Sequence, residues 1–246
     1  CFGEGFELCK PHTRTPRIQN GPMLLLGDVS GLNPQGGPWG RGYAKSTLQI
    51  EPELWFFDGH FKNDPCMPGT LMFEGCLQLM GFYMAALGYT ISRDGWRFEP
   101  VPEESFALSC RGQVTPQSKS LTYELFVEEV HDGPIPKLYA DLLCTVDGLK
   151  SFHARRVALQ LIPGWPLDEG TELLDGYLET RAVAKADDFA FDYRSLLACA
   201  NGRPSAAFGP IYQRFDSPGR VARLPNPPYH FLSRVTRTKG LIGSME

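Results

Sequence analysis

From Tyr43 onward the chain alternates. Ala44, Ser46, Leu48 and Ile50 fall on one side, and Tyr43, Lys45, Thr47 and Gln49 on the other, the period of a strand with one face turned inward. Four later segments repeat that period. Phe106, Leu108, Cys110 and Val114 share a face in 105–114, and Leu121, Tyr123, Leu125 and Val127 share one in 120–130. Leu138, Ala140, Leu142, Cys144 and Val146 do so in 137–147, and Val157, Leu159 and Leu161 in 149–162. Asp132-Gly133-Pro134 and Asp147-Gly148 mark the turns between the last three. After the first strand the period changes. Pro68-Gly69 opens a predicted helix over about 69–88 that is apolar almost all round, through Leu71, Met72, Phe73, Cys76, Leu77, Leu79, Met80, Phe82, Met84 and Leu87. Such a helix must be covered on every side. The expected class is α+β, an antiparallel sheet wrapped round one long central helix.

The flanks read differently. Residues 1–42 look mostly irregular, apart from the apolar run Met23-Leu24-Leu25-Leu26. Gly36-Gly37-Pro38-Trp39-Gly40-Arg41-Gly42 reads as a glycine-rich turn, since its spacing does not fit a dinucleotide fingerprint and no helix pattern follows. Residues 165–207 are rich in acids, Ala and Gly, with the pattern Leu173-Leu174-Asp175-Gly176-Tyr177-Leu178, and read as a connecting region. A weak repeat then appears. Phe2-Gly3 recurs as Phe208-Gly209, Arg17-Ile18 as Arg223-Leu224, Pro22 as Pro228 and Val29 as Val235, each at an offset of 206 residues. A chance alignment of short Pro- and Gly-containing loops is the competing explanation. On the repeat reading the chain holds one unit at 1–164, the connecting region, and at 208–246 the start of a second, incomplete unit. A first residue of Cys1 rather than Met suggests a piece of a longer polypeptide.

Composition narrows the function. Across 246 residues the apolar content is 42% and the net charge −4. A core is affordable, and no basic excess or basic-aromatic interleaving points to nucleic acid. The seven cysteines are Cys1, Cys9, Cys66, Cys76, Cys110, Cys144 and Cys199, without a CxxC pair, so neither a zinc site nor a disulfide framework is expected. They suit a reducing, cytoplasmic compartment. No signal peptide or membrane-spanning run is evident.

The chemistry concentrates in 55–83. Glu74 and Gln78 lie four apart on one face of a helix with few other polar positions. A buried carboxylate without a partner is costly, so Glu74 must be protonated, be paired, or face a cavity. A structural acid bonded to neighbouring backbone is the plainer alternative. His60 sits in an aromatic loop with Phe57 and Phe61, where a half-buried structural histidine is equally common. Its context is what gives it weight. The first turn of the helix, at Gly69-Thr70, presents free N–H groups and the positive end of the helix dipole, which would polarise a thioester oxygen. Gly69 would let that substrate approach the backbone. Removing water from a 3-hydroxyacyl thioester takes a proton from C2 and releases hydroxide from C3. A neutral histidine suits the first step, and a carboxylic acid kept protonated in an apolar pocket suits the second. No metal or redox cofactor is needed.

The string Trp55-Phe56-Phe57, then Gly59-His60-Phe61, Asp64-Pro65, Met67-Pro68-Gly69, Leu71, Gln78 and Gly81-Phe82-Tyr83 resembles the β-hydroxyacyl-ACP dehydratases of fatty acid synthesis, particularly the dehydratase/isomerase branch. Met23-Leu24 and Gly42-Tyr43 resemble that family's lead-in strands, and the resemblance covers about 10–162. It implies a hotdog fold, with His60 and Glu74 as catalytic base and acid. It places the Gly69 amide, with Thr70 beside it, on the thioester oxygen. It makes the Cys66 backbone the support of the histidine and Gln78 the support of the acid. That branch carries Asp at the acid position, whereas plain dehydratases carry Glu, so Glu74 weakens any case for double-bond isomerisation. The segment from Phe208-Gly209 through Arg223-Leu224-Pro225 to Val235 looks like the opening of a further dehydratase unit, as in polyunsaturated fatty acid synthases and related polyketide-synthase-like multienzymes. The implied partners are an acyl carrier protein, bearing the substrate on phosphopantetheine, and a second hotdog unit, because in this family base and acid come from different units.

Two rival readings share the fold. A hotdog thioesterase would hydrolyse the thioester with carboxylate-activated water and has no need of the Gly-His-Phe loop. A non-catalytic acyl-binding unit would have no need of both His60 and Glu74. Elsewhere, Asp64 reads as a loop-shaping residue. His153 with Arg155 and Arg156 reads either as a solvated strand face or as a docking patch for an acidic carrier. His12, His131 and His230 read as surface residues.

Overall fold

A computed structural model describes residues 4–164, 183–186, 188–216, 221–226, 229–240 and 243. The chain divides into two compact units, one of Cys1–Pro52 and Met67–Gly176, the other of Glu53–Cys66 and Tyr177–Glu246. Phe2-Gly3, Pro228 and the Leu173 to Leu178 pattern lie outside the described residues.

The first unit is a curled antiparallel sheet on one helix. Its strands are β1 (Asp28–Asn33), β2 (Tyr43–Gln49), β3 (Arg97–Pro100), β4 (Ala107–Cys110), β5 (Ser120–His131), β6 (Lys137–Val146) and β7 (Leu149–Ile162). The order is β1-β2-β5-β6-β7-β3, with β4 pairing the first half of β7 and β3 its second half. Alternation does what the sequence predicts in the central strands, where Leu121, Tyr123, Leu125, Val127, Leu138, Ala140, Leu142 and Cys144 are fully buried. The β6–β7 turn uses Asp147 and Gly148 at φ 50° and 80°, the left-handed pair of a tight hairpin. The Asp147 carboxylate accepts the Lys119 and Ser120 N–H groups, tying the turn to β5.

Helix α1 (Gly69–Ala86) packs on β2, β5, β6 and β7. One row of in-register residues, Ser46–Tyr123–Cys144–Phe152, crosses the sheet, and the helix meets this row at Gly75 and Cys76. Cys76 Sγ lies 3.3 Å from Cys144 Sγ, and the Tyr123 ring lies against Gly75. Burial holds the Tyr123 hydroxyl well above the usual phenol range, and it has no partner among the described residues. The opposite face of α1 is covered by Ile18 and Phe98, which reach Gly81. Coverage ends at the carboxyl end, where Leu87 is 38% exposed.

Three expectations need correction. Residues 1–42 are not all irregular, since β1 pairs with β2 along an edge, and the glycine-rich turn joins the two. A short strand, β3, precedes the strand expected at 105–114, which shrinks to β4. The supposed inward face of that strand is open, with Phe106, Leu108 and Cys110 exposed and Val114 alone buried. As the outer strand of its sheet, β4 has β7 on one side only. Stacking of Phe106 on Phe73, 5.1 Å between centroids, does not close its face.

In the second unit, β8 (Lys185–Ala186) and β9 (Phe189–Ala190) form a small hairpin, followed by helices α2 (Tyr193–Asn201) and α3 (Pro204–Phe208). Asp192 caps α2 by accepting the Ser195 N–H. Among the described residues no helix is long and apolar enough to cross a membrane.

Gly75→Ala tests the helix–sheet contact. The added Cβ would lie 2.5 Å from Tyr123 Cζ. Overpacking of about 1–3 kcal/mol should outweigh a helix-propensity gain of about 1 kcal/mol. Urea unfolding should show a net loss of stability; a variant at least as stable as the parent would refute the contact.

Candidate active site

The histidine loop belongs to the second unit. A 3-10 turn at Trp55–Phe57 buries Phe56 and Phe57, whose rings meet edge-on at 4.7 Å. Phe61 and Asp64 exchange backbone hydrogen bonds at 3.1 Å, which is how Asp64 shapes the loop. The Cys66 N–H then donates to the His60 carbonyl at 2.7 Å, and the Cys66 carbonyl lies 3.0 Å from His60 Nδ1. A carbonyl only accepts, so Nδ1 carries the proton and Nε2 keeps its lone pair in the neutral ring. Burial, and after it the charge of Asp64, push the Cys66 thiol up, so its Sγ, 3.4 Å from Nδ1, stays a thiol. Lys62 Nζ reaches the Asn201 carbonyl at the end of α2, 2.7 Å away, a cation on the negative helix end.

The acid lies on α1 in the first unit. Gln78 is 2% exposed and makes three hydrogen bonds. Its Nε2 donates to Glu74 Oε1 at 3.0 Å and to the Met23 carbonyl at 2.8 Å, and its Oε1 accepts the Leu25 N–H at 2.9 Å. Gln78 therefore fixes one carboxylate oxygen of Glu74 and pins the lead-in segment to the helix. Glu74 is half-buried and opens onto a cavity of about 180 Å³, walled by Leu77 and Gly81 of the helix and by Arg17, Ile18, Trp96 and Phe98. At the amino end of α1, the Gly69 and Thr70 N–H groups have no partner among the described residues. Thr70 is exposed and Gly69 half-exposed, with Cys110 Sγ nearby.

The predicted residues thus fall into two groups. His60 and Cys66 stand in one compact unit; Gly69, Thr70, Glu74 and Gln78 stand in the other. Sequence reasoning missed Asn226 and Tyr229. The Asn226 N–H donates to the Gly59 carbonyl at 2.8 Å, and the Tyr229 ring lies 5.9 Å from the His60 ring, nearly perpendicular. The internal repeat was the signal that could have found them. His230 is not the surface residue expected, since it is half-buried with Nδ1 on the Pro225 carbonyl. His12, likewise half-buried, bonds Thr15. Among the described residues no three His, Cys, Asp or Glu side chains converge as metal ligands.

Separate from both groups, Arg111, Lys150, His153 and Arg155 line a groove of about 540 Å³ along β4 and β7. Burial, followed by the charge of Lys150, lowers the His153 imidazole, which Asp141 faces at 3.8 Å. Arg156 turns away from the groove, onto Glu128 and Glu129.

A family model, that of the FabA-like domain, matches residues 18–155. Two solved structures are similar in fold at 13% identity. A dehydratase heterocomplex, ApeI:P, from Xenorhabdus doucetiae has a TM-score of 0.42, with 63% of this chain and 92% of that one covered. A hypothetical thioesterase with coenzyme A from Streptococcus pneumoniae has a TM-score of 0.36, with 56% and 89% covered.

Gln78→Ala should cost about 1–3 kcal/mol, because it leaves the buried Leu25 N–H unpaired. Denaturant midpoints would measure this, and an unchanged midpoint would show that the amide does not hold the lead-in.

Proposed function

The chain belongs to the FabA-like domain family, and on that premise we propose that it removes water from a 3-hydroxyacyl thioester to give the 2-enoyl thioester. The observation that carries this reading is the His60 Nδ1 bond to the Cys66 carbonyl, which leaves Nε2 as a base. His60 Nε2 takes the C2 proton. The electron pair forms the C2–C3 double bond as the C3–O bond breaks. The Glu74 carboxyl gives its proton to the departing hydroxyl, and water leaves. Charge developing on the thioester oxygen falls to the unpartnered N–H groups of Gly69 and Thr70 at the helix amino end. Proton transfer from imidazolium to carboxylate through solvent restores both groups.

In this proposal base and acid serve different half-sites, each completed by a second hotdog unit. The substrate arrives on the phosphopantetheine arm of an acyl carrier protein, within a fatty acid or polyketide-like multienzyme. The groove of Arg111, Lys150, His153 and Arg155 offers that acidic partner its charge complement.

With a 3-hydroxyacyl thioester as substrate, His60→Ala and Glu74→Gln should each slow enoyl formation by roughly 10²–10⁴-fold. Full activity in His60→Ala would sink the assignment, and release of free thiol without enoyl product would identify a thioesterase instead.

The double variant Lys150→Glu/Arg155→Glu should raise KM for carrier-borne substrate about tenfold at low salt, with kcat and the KM of a free pantetheine thioester unchanged. Equal KM for parent and variant would remove the groove from carrier docking.

A further inference from the structure

The repeated segment is used twice. In its first copy, around 17–29, Met23 and Leu25 bond Gln78, the residue that holds Glu74. In its second copy, around 223–235, the residue at the Met23 position is Tyr229, and its surroundings hold the histidine. The Tyr229 ring stacks on Trp55 at 5.7 Å and 21°, and stands edge-on to His60 at 5.9 Å and 73°. Three residues earlier, the Asn226 N–H takes the carbonyl of Gly59, the residue just before His60. The Tyr229 N–H donates to the Asn226 carbonyl at 2.8 Å, which ties the two contacts to each other. One copy thus braces the acid and the other the base.

We infer that Asn226 and Tyr229 form a wall of the His60 half-site and that Tyr229 is a positioning residue for the imidazole. The reading rests on His60 being the base of the dehydration. The matched family region, 18–155, does not include this wall. Two further features support it. Asn226 Oδ1 and His230 Nε2 are buried without partners among the described residues, polar atoms that a bound thioester substrate would satisfy. The loop's Nδ1 bond to Cys66 holds the ring by one edge, and Phe61 lies along one face, 4.1 Å between centroids at 32°. Tyr229, itself stacked on Trp55, meets the ring edge-on and limits the tilt that these two contacts leave.

The test uses the whole chain and three variants. Tyr229→Ala removes the neighbour, Tyr229→Phe keeps the ring, and Tyr229→Met installs the residue that the first copy carries at Met23. Turnover is measured across pH. Carbethoxylation of His60 by diethylpyrocarbonate is followed by peptide mass spectrometry, which needs no substrate. Tyr229→Ala and Tyr229→Met should lower kcat roughly 10- to 100-fold, as expected when a catalytic group drifts by about an ångström. KM should stay within a few-fold, His60 should react faster with the reagent, and the acidic limb of the pH profile, which follows protonation of the base, should move. Tyr229→Phe should restore kcat and His60 reactivity to parental values. If Tyr229→Ala unfolds, Tyr229→Met decides. Unchanged His60 reactivity and kcat in Tyr229→Ala or Tyr229→Met would overturn the inference, as would a Tyr229→Phe as impaired as Tyr229→Ala. Should the parent show no dehydration at all, the proposed reaction fails, and His60 reactivity still decides whether Tyr229 positions the ring.

Discussion

A helix that is apolar almost all round cannot remain in water, and α1 is such a helix. Burying each of its large apolar side chains stabilises the fold by about 1.5–3 kcal/mol, and only a surface that bends round the helix collects most of that. The sheet supplies it from β2 to β7, with Gly75 allowing the Tyr123 ring to close on the helix backbone. What the sheet does not reach, the lead-in segment covers, held there by the amide of Gln78. The same amide fixes Glu74. Packing and chemistry therefore share one side chain: the bonds that close the core over α1 also orient the carboxyl that faces the cavity.

The central strands and α1 were legible because period and burial agree there: a strand with both neighbours in place buries every second residue. That agreement fails at edges. β1, with Gly31 and Asn33 and few apolar positions, pairs through its backbone to β2 and leaves no alternation to read. In β4 the alternation is present but marks a face that this chain leaves open. Near the site, His60, Gly69 and Glu74 stood out because they lie close together in sequence with spacing that a helix start explains. Asn226 and Tyr229 did not, since nothing local to them signals a histidine far back along the chain. Only the constant offset of the repeat connects them to Met23 and so to the acid side.

The compact units divide the sequence between Cys66 and Met67, between the histidine loop and the helix that follows it. Adjacent residues thus serve different structural bodies. The loop takes its support from Asn226, Tyr229 and the end of α2, and the helix takes its support from the sheet and residues 16–25. Different elements therefore hold the two groups of candidate residues, as the proposed half-site arrangement requires.

The proton on His60 Nδ1 answers to a backbone carbonyl, that of Cys66, at 3.0 Å, with the weaker Cys66 Sγ 3.4 Å away. Every residue type carries that carbonyl. A substitution at this position keeps the carbonyl, and with it the nitrogen that carries the proton. A base oriented by an aspartate would lose its tautomer with one codon change. Here the instruction is written in the main chain, where substitution does not reach it.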